Sequence, residues 1–253
     1  MKRMRARILI LTLAILLSPL LSAAVAGEPT LKDVKKQIAA KLKKIKTLQL
    51  SIRIEENRKY EMNDLQYRRE KTTTGELMLE RRDQTFVSRY HWKSRTKDYE
   101  GDEPDPHDNS FEAIQITDDS HSYESSRKHD LAPWRHTKGK RSFRLNPLDL
   151  KSRYSKDEFE QKLLPVEELE GAKAWVIEMI PKKEKTLQRD PAKTRVWFDQ
   201  KTGVEIKNVD YDDTGKVQET RIFRDIRINE EIDPGRFKFE PPEGENVVDM
   251  TGF

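Results

Sequence analysis

The chain has no cysteine among its 253 residues. That excludes disulfide staples, thiol nucleophiles and thiolate metal sites, and it excludes a lipid anchor attached through cysteine. Apolar residues are also scarce, at 34% of the chain. Most of the long apolar content sits at one place. Ile8 to Leu21 is nearly all apolar, follows the basic residues Lys2, Arg3, Arg5 and Arg7, and is closed by Ala24-Val25-Ala26. The run carries Ser18-Pro19 and is too short and broken for a membrane span, so residues 1–26 read as an export signal cleaved after Ala26. Residues 27–253 are then expected to form a single exported, periplasmic domain.

Removing that segment changes two arguments. The 49 Lys and Arg against 45 Asp and Glu give +4, and the four bases of the signal account for all of it. The remainder is formally neutral, which removes the electrostatic case for nucleic-acid binding. Apolar content falls to roughly 30% of the mature chain, low for a globular domain. One curved sheet with a single apolar face fits such a composition better than a thick layered fold.

Catalytic and metal-binding patterns are missing as well. His91, His107, His121, His129 and His136 show no helical zinc spacing. The acids around His107 lack the order of a calcium loop and are interrupted by Pro104 and Pro106. Ser120-His121-Ser122 has no nucleophile elbow, and the adjacent pairs Glu167-Glu168 and Asp212-Asp213 point apart. These patterns predict no enzyme, no cofactor and no metal.

What is there is periodicity. Thr30 with Asp33 makes a capping pair, and Leu31, Val34, Ile38, Leu42 and Ile45 form a stripe at helical spacing. Lysines fill the opposite face, which suits either an anionic membrane surface or, better for so narrow a stripe, a helix packed on a sheet. The period then becomes two. Leu48, Leu50, Ile52 and Ile54 alternate with polar residues; after a polar stretch come Gly75, Leu77, Leu79 and Arg81, then Phe86, Tyr90 and Trp92. Residues 93–112 lose the pattern and read as an acidic, proline-rich surface loop. A strand returns at 113–117 with Ile114 and Ile116, turns at Asp118-Asp119 and resumes through Tyr123. Residues 126–145 read as a basic loop.

Asn146-Pro147 and Ser155 with Glu158 each look like helix starts, predicting two short helices that carry Leu148, Leu150, Tyr154, Phe159 and Leu163. The last third is antiparallel: strands at 174–180 and 195–199, then further strands around two turns that end Thr202-Gly203 and Thr214-Gly215. Phe237-Lys238-Phe239-Glu240 alternates like a strand stopped by Pro241-Pro242, with Val247-Val248 beyond. The order is one helix and about ten strands with the two short helices inserted midway, and no parallel crossover.

The residues Gly75-Glu76-Leu77-Met78-Leu79-Glu80-Arg81, followed by Phe86, together with Thr117-Asp118-Asp119, Asn146-Pro147-Leu148, Asp157-Glu158-Phe159 and the Phe237-to-Gly244 ending, resemble those of periplasmic lipoprotein carriers of the LolA type. Arg82 stands where that family usually has proline. The resemblance runs over most of residues 30–250. It implies a mainly β fold with α: an open antiparallel half-barrel with an N-terminal helix and short lid helices. It further implies a monomeric carrier whose cargo is an acylated lipoprotein or lipid, handed between inner- and outer-membrane transfer proteins. Leu50, Ile52, Leu77, Leu79, Phe86, Tyr90, Trp92, Ile114, Ile116 and Leu148 would line the lipid cavity, and Arg81 would latch the lid. A regulatory sensor of the same fold, binding a membrane-anchored anti-sigma partner, is the alternative. Periodicity alone does not separate a hollow lining from a core filled by the first helix.

Overall fold

The computed structural model describes residues 28–62, 65–83, 85–105, 109–129, 132–142, 146–149, 154–182, 191–241 and 243–252. The signal segment 1–26, His107, Leu150 and Pro242 therefore lie outside the described residues. One helix, α1 (Leu31–Leu42), opens the described chain. Thr30 caps it: its hydroxyl accepts from the Asp33 amide, while the Asp33 carboxylate accepts from the Thr30 backbone N–H. The expected stripe is its buried face, with Val34, Ile38 and Leu42 at most 3% exposed. Burying each of these contributes on the order of 1.5–3 kcal/mol, an upper figure for a chain already partly collapsed when unfolded.

Among the described residues the strands form one 13-stranded sheet. Its strands are β1 (Thr47–Met62), β2 (Leu65–Arg82), β3 (Thr85–Glu100), β4 (Glu103–Pro104), β5 (Asn109–Thr117), β6 (His121–Arg127) and β7 (Arg135–Lys140), then β8 (Phe159–Leu169), β9 (Ala172–Pro181), β10 (Lys193–Asp199), β11 (Glu205–Tyr211), β12 (Val217–Ile228) and β13 (Val247–Asp249). The order across the sheet is β13-β7-β6-β5-β3-β2-β1-β12-β11-β10-β9-β8, with β4 paired to the end of β3. Two meanders, β1–β7 and β8–β12, are thus joined by the antiparallel pairing of β1 with β12, where Ile52 faces Phe223 and Leu48 faces Ile228. The sheet does not close on itself. It is an open half-barrel, and α1 packs on its inner face.

Several sequence expectations are corrected. Residues 93–112 are not a loop throughout: β3 runs to Glu100 and β5 begins at Asn109, and among the described residues between them lie a tight turn and the two-residue β4. The ladder continues past the apolar core because both strands are solvated there. It is held by the Arg69–Asp98 pair (2.7 Å) and by stacked Tyr60 and Tyr67 (5.5 Å between centroids), so no alternation marks it. The basic stretch 126–145 contains β7, a strand without a large apolar residue. Among the described residues, turns replace both short helices: Ser155 Oγ accepts from the Asp157 amide (3.1 Å), and Phe159 already starts β8.

The ending is not a strand either. Pro234–Phe237 is a 3-10 turn capped by Asp233, whose carboxylate accepts from the Gly235 amide (2.9 Å). With β12 already paired on both sides, the segment crosses the outer face of the sheet. Phe237 and Ile232 bury against Val87 and Met78. Phe239 stacks on Tyr123 of β6 at 4.8 Å, and β13 then adds to β7 as a parallel edge strand. Among the described residues no helix is long and apolar enough to cross a membrane.

Candidate functional site

Strand register decides which predicted lining residues share a face. On the inner face, Leu50 pairs with Leu77, and Leu77 with Tyr90; Ile52 pairs with Gly75, and Gly75 with Trp92. Leu79 lies opposite Leu48, and Phe86 opposite Arg81. Leu48, Leu50, Ile52, Leu77, Leu79, Tyr90 and Trp92 belong to one buried cluster with the stripe of α1, and Leu148 packs at its margin. These side chains form a filled core beneath the helix rather than an open lining. Ile114 and Ile116 do not join them. Trp92 faces Ala113 and Arg89 faces Ile116, so both isoleucines project to the outer face. The reason is steric. Tyr90 and Trp92 are stacked at 4.6 Å, and the large indole is flanked across the sheet by Gly75 and Ala113, the two smallest residues within reach. A Cβ on Gly75 would stand 2.6 Å from the His91 carbonyl oxygen.

Among the described residues the partners of Arg81 are on the helix and its following turn, not on the segment expected as a lid. Its Nε–H donates to the Ile45 carbonyl (3.1 Å) and an Nη–H to the Leu42 carbonyl (3.3 Å). These are carbonyls at the C-terminal end of α1 and its following turn, where helices run short of backbone donors; the Leu42 carbonyl also accepts from the Ile45 amide (3.1 Å). The guanidinium also lies 4.4 Å over the Phe86 ring. Arg81 therefore pins the end of α1 to the inner face, where a cation complements the helix dipole.

The open space on the inner face lies elsewhere, in a groove between α1 and strands β8–β10. It measures about 450 Å³, within the ordinary range of small-molecule pockets. Its floor is Ala39 of α1 and the tops of Ile38, Ile177, Met179 and Phe198, which belong to the same buried cluster and expose at most 3% of their surface. Tyr154 and the turn Ser155–Asp157 roof it. Tyr154 is held from both ends. Its hydroxyl donates to Glu205 (3.0 Å) and accepts from the Asn208 amide group (3.1 Å), while its carbonyl accepts from Gln161 (2.9 Å). Lys35 of α1 donates to Gln161 Oε1 (2.7 Å), closing a chain of hydrogen bonds along one rim. None of the predicted lining residues is in this groove. The strand 174–180 was legible, but its apolar residues occupy both parities, with Trp175, Ile177 and Met179 inward and Ala174 and Val176 outward under Trp197.

Beyond α1 the inner face becomes ionic. Asp210 is buried and accepts from the Thr194 hydroxyl (2.6 Å). Burial pushes its carboxyl above the usual range, opposed by Arg221 and the Thr194 hydrogen bond. Arg58 donates to Glu219 at 3.1 Å beside it. On the outer face Ser125 Oγ lies 2.7 Å from His136 Nδ1, and His136 Nε2 meets Glu245. The imidazole is 6% exposed. This trio ties the C-terminal crossing to β7.

No protein-family model matches the chain, and no curated protein matches it. Solved structures do. An uncharacterized conserved protein from Thermus thermophilus is similar at 9% identity over 86% of this chain and 98% of that one, with a TM-score of 0.51. A LolA superfamily protein from Nitrosomonas europaea is similar at 10% identity over 83% and 98%, with a TM-score of 0.27. The MucA/MucB complex of Pseudomonas aeruginosa is matched at 13% identity over 82% of this chain and 60% of that one, with a TM-score of 0.38. At 9% identity the likeness to the Thermus thermophilus protein is one of fold alone.

Proposed function

We propose that the chain is a periplasmic carrier that binds the acyl chain of a lipoprotein or lipid in its half-barrel and moves it towards the outer membrane. Residues 1–26 act as the export signal, and residues 27–253 work as one monomeric domain that performs no covalent chemistry. The observation that carries this reading is the apolar groove of about 450 Å³ between α1 and β8–β10. Its floor of Ile38, Ile177, Met179 and Phe198 offers hydrocarbon contact at about 0.8 kcal/mol per buried methylene, with no polar contact needed to hold a tail. Its volume suits one chain. A bulkier cargo requires α1 to lift, which would uncover Leu50, Ile52, Leu77, Leu79, Tyr90 and Trp92 as additional lining.

The test is lipid extraction and mass spectrometry of protein purified from its native periplasm, with uptake of a fluorescent fatty acid by the delipidated protein. Co-purifying lipid and uptake that falls at least tenfold in Met179→Glu are expected. Protein that carries no lipid and takes up no probe refutes the carrier reading, and lipid-independent capture of a single membrane protein would favour the sensor.

A further inference from the structure

Two ammonium groups stand at the mouth of the groove. Lys35, half-buried on α1, and Lys156, exposed on the roofing turn, both border it. Among the described residues neither has a carboxylate partner: Lys35 Nζ donates to the neutral Gln161, and Lys156 is bound only through its carbonyl, which accepts from Lys182 Nζ (2.8 Å). One acid, Asp157, shares the rim and is exposed. Two cations against one carboxylate leave the mouth positive above an apolar floor.

From this arrangement we infer that the cargo is a single-tailed amphiphile with a carboxylate head, a long-chain fatty acid, whose tail lies on Ile38, Ile177, Met179 and Phe198 and whose head is set between Lys35 and Lys156. The inference rests on the acyl-groove reading above and adds the head to it. A carboxylate there accepts charge-assisted hydrogen bonds from both ammonium groups and relieves their mutual repulsion. The repulsion is evident at Lys35, whose ammonium is held below the usual lysine range first by burial and then by Lys156. Lys35 is already oriented by Gln161, so little side-chain freedom remains to be lost on binding. A quaternary ammonium head would meet the same two cations and be repelled.

The experiment uses N-phenyl-1-naphthylamine, a neutral fluorescent probe, bound to the delipidated mature protein and displaced by amphiphiles with the same twelve-carbon tail: laurate, dodecanol, dodecyl phosphate and dodecyltrimethylammonium. Laurate is expected to compete best. In Lys35→Gln/Lys156→Gln its affinity should fall about tenfold, the scale of one charge-assisted hydrogen bond, while dodecanol is unchanged. Lys156→Gln alone, at an exposed position, should give part of that loss without any change in the urea midpoint. Laurate binding that is indifferent to both variants, or weaker than that of the ammonium compound, overturns the inference and leaves the groove reading intact. Tighter binding of dodecyl phosphate than of laurate overturns the carboxylate head in favour of phosphate. A probe that neither binds nor is displaced by any of the four removes the groove reading itself.

Discussion

Replacing Arg81 by methionine tests whether α1 is held on the sheet by the bonds described. The substitution keeps the apolar stem and removes two hydrogen bonds, to Leu42 and Ile45, together with the contact over Phe86. Hydrogen bonds to a charged donor are each worth about 1.5–3 kcal/mol when buried, and the partial exposure of Arg81 puts both near or below the low end. The ring contact adds about 0.5–1 kcal/mol and the dipole term a few tenths. An overall loss of about 3–4 kcal/mol follows. Urea unfolding should show it as a lower midpoint at unchanged slope. Amide exchange should place it, with protection lost from Val34 to Lys43 before the strands β1 and β2. Arg81→Lys keeps the charge but offers no fork, and should lose roughly half as much. The reasoning fails if Arg81→Met costs under about 0.5 kcal/mol, if lysine restores full stability, or if exchange rises first in the sheet.

Three further perturbations probe other parts of the molecule. Burial raises the Glu112 carboxyl, but hydrogen bonds from Arg127, His91 and Lys93 outweigh it and hold it at about 2. The resulting stability, at most about 3 kcal/mol, is complete above pH ~4.5 and is lost as pH falls towards 2, so Glu112→Gln should flatten the acid limb of a stability–pH curve. Gly75→Ala forces a Cβ against the His91 carbonyl at 2.6 Å, between Tyr90 and Trp92, and should cost about 2 kcal/mol or more in urea despite alanine's better strand propensity. Phe239→Ala removes the stack on Tyr123 and should cost about 1 kcal/mol, read as a lower urea midpoint and faster amide exchange in β13 than in β5.

The parts of the fold legible in the sequence were those where burial wrote a period. The Thr30–Asp33 cap and the Val34–Ile38–Leu42 stripe place α1, and the alternation from Leu48 to Ile54 places the core half of β1. Where strands are solvated on both faces the period vanishes although the ladder does not, which hid β7 and the far ends of β2 and β3. Ile114 and Ile116 misled for a different reason. They are the aliphatic residues of their strand, yet their parity is opposite to that of Phe111 and Ala113, which face the inner side next to Trp92. The groove was hidden because it is made between elements far apart in the chain, with Ile38 meeting Phe198 and a roof at Tyr154.

The strand order has a kinetic consequence. Each meander is assembled from neighbours in sequence, and hairpins of that kind form fast. The seam between them is different, because Leu48 must find Ile228, 180 residues further along the chain. Until it does, β1 and β12 are two bare edges, and α1 has only half a floor to settle on. The slowest refolding phase should therefore report that seam, and the species that accumulates before it is the one most exposed to wrong partners.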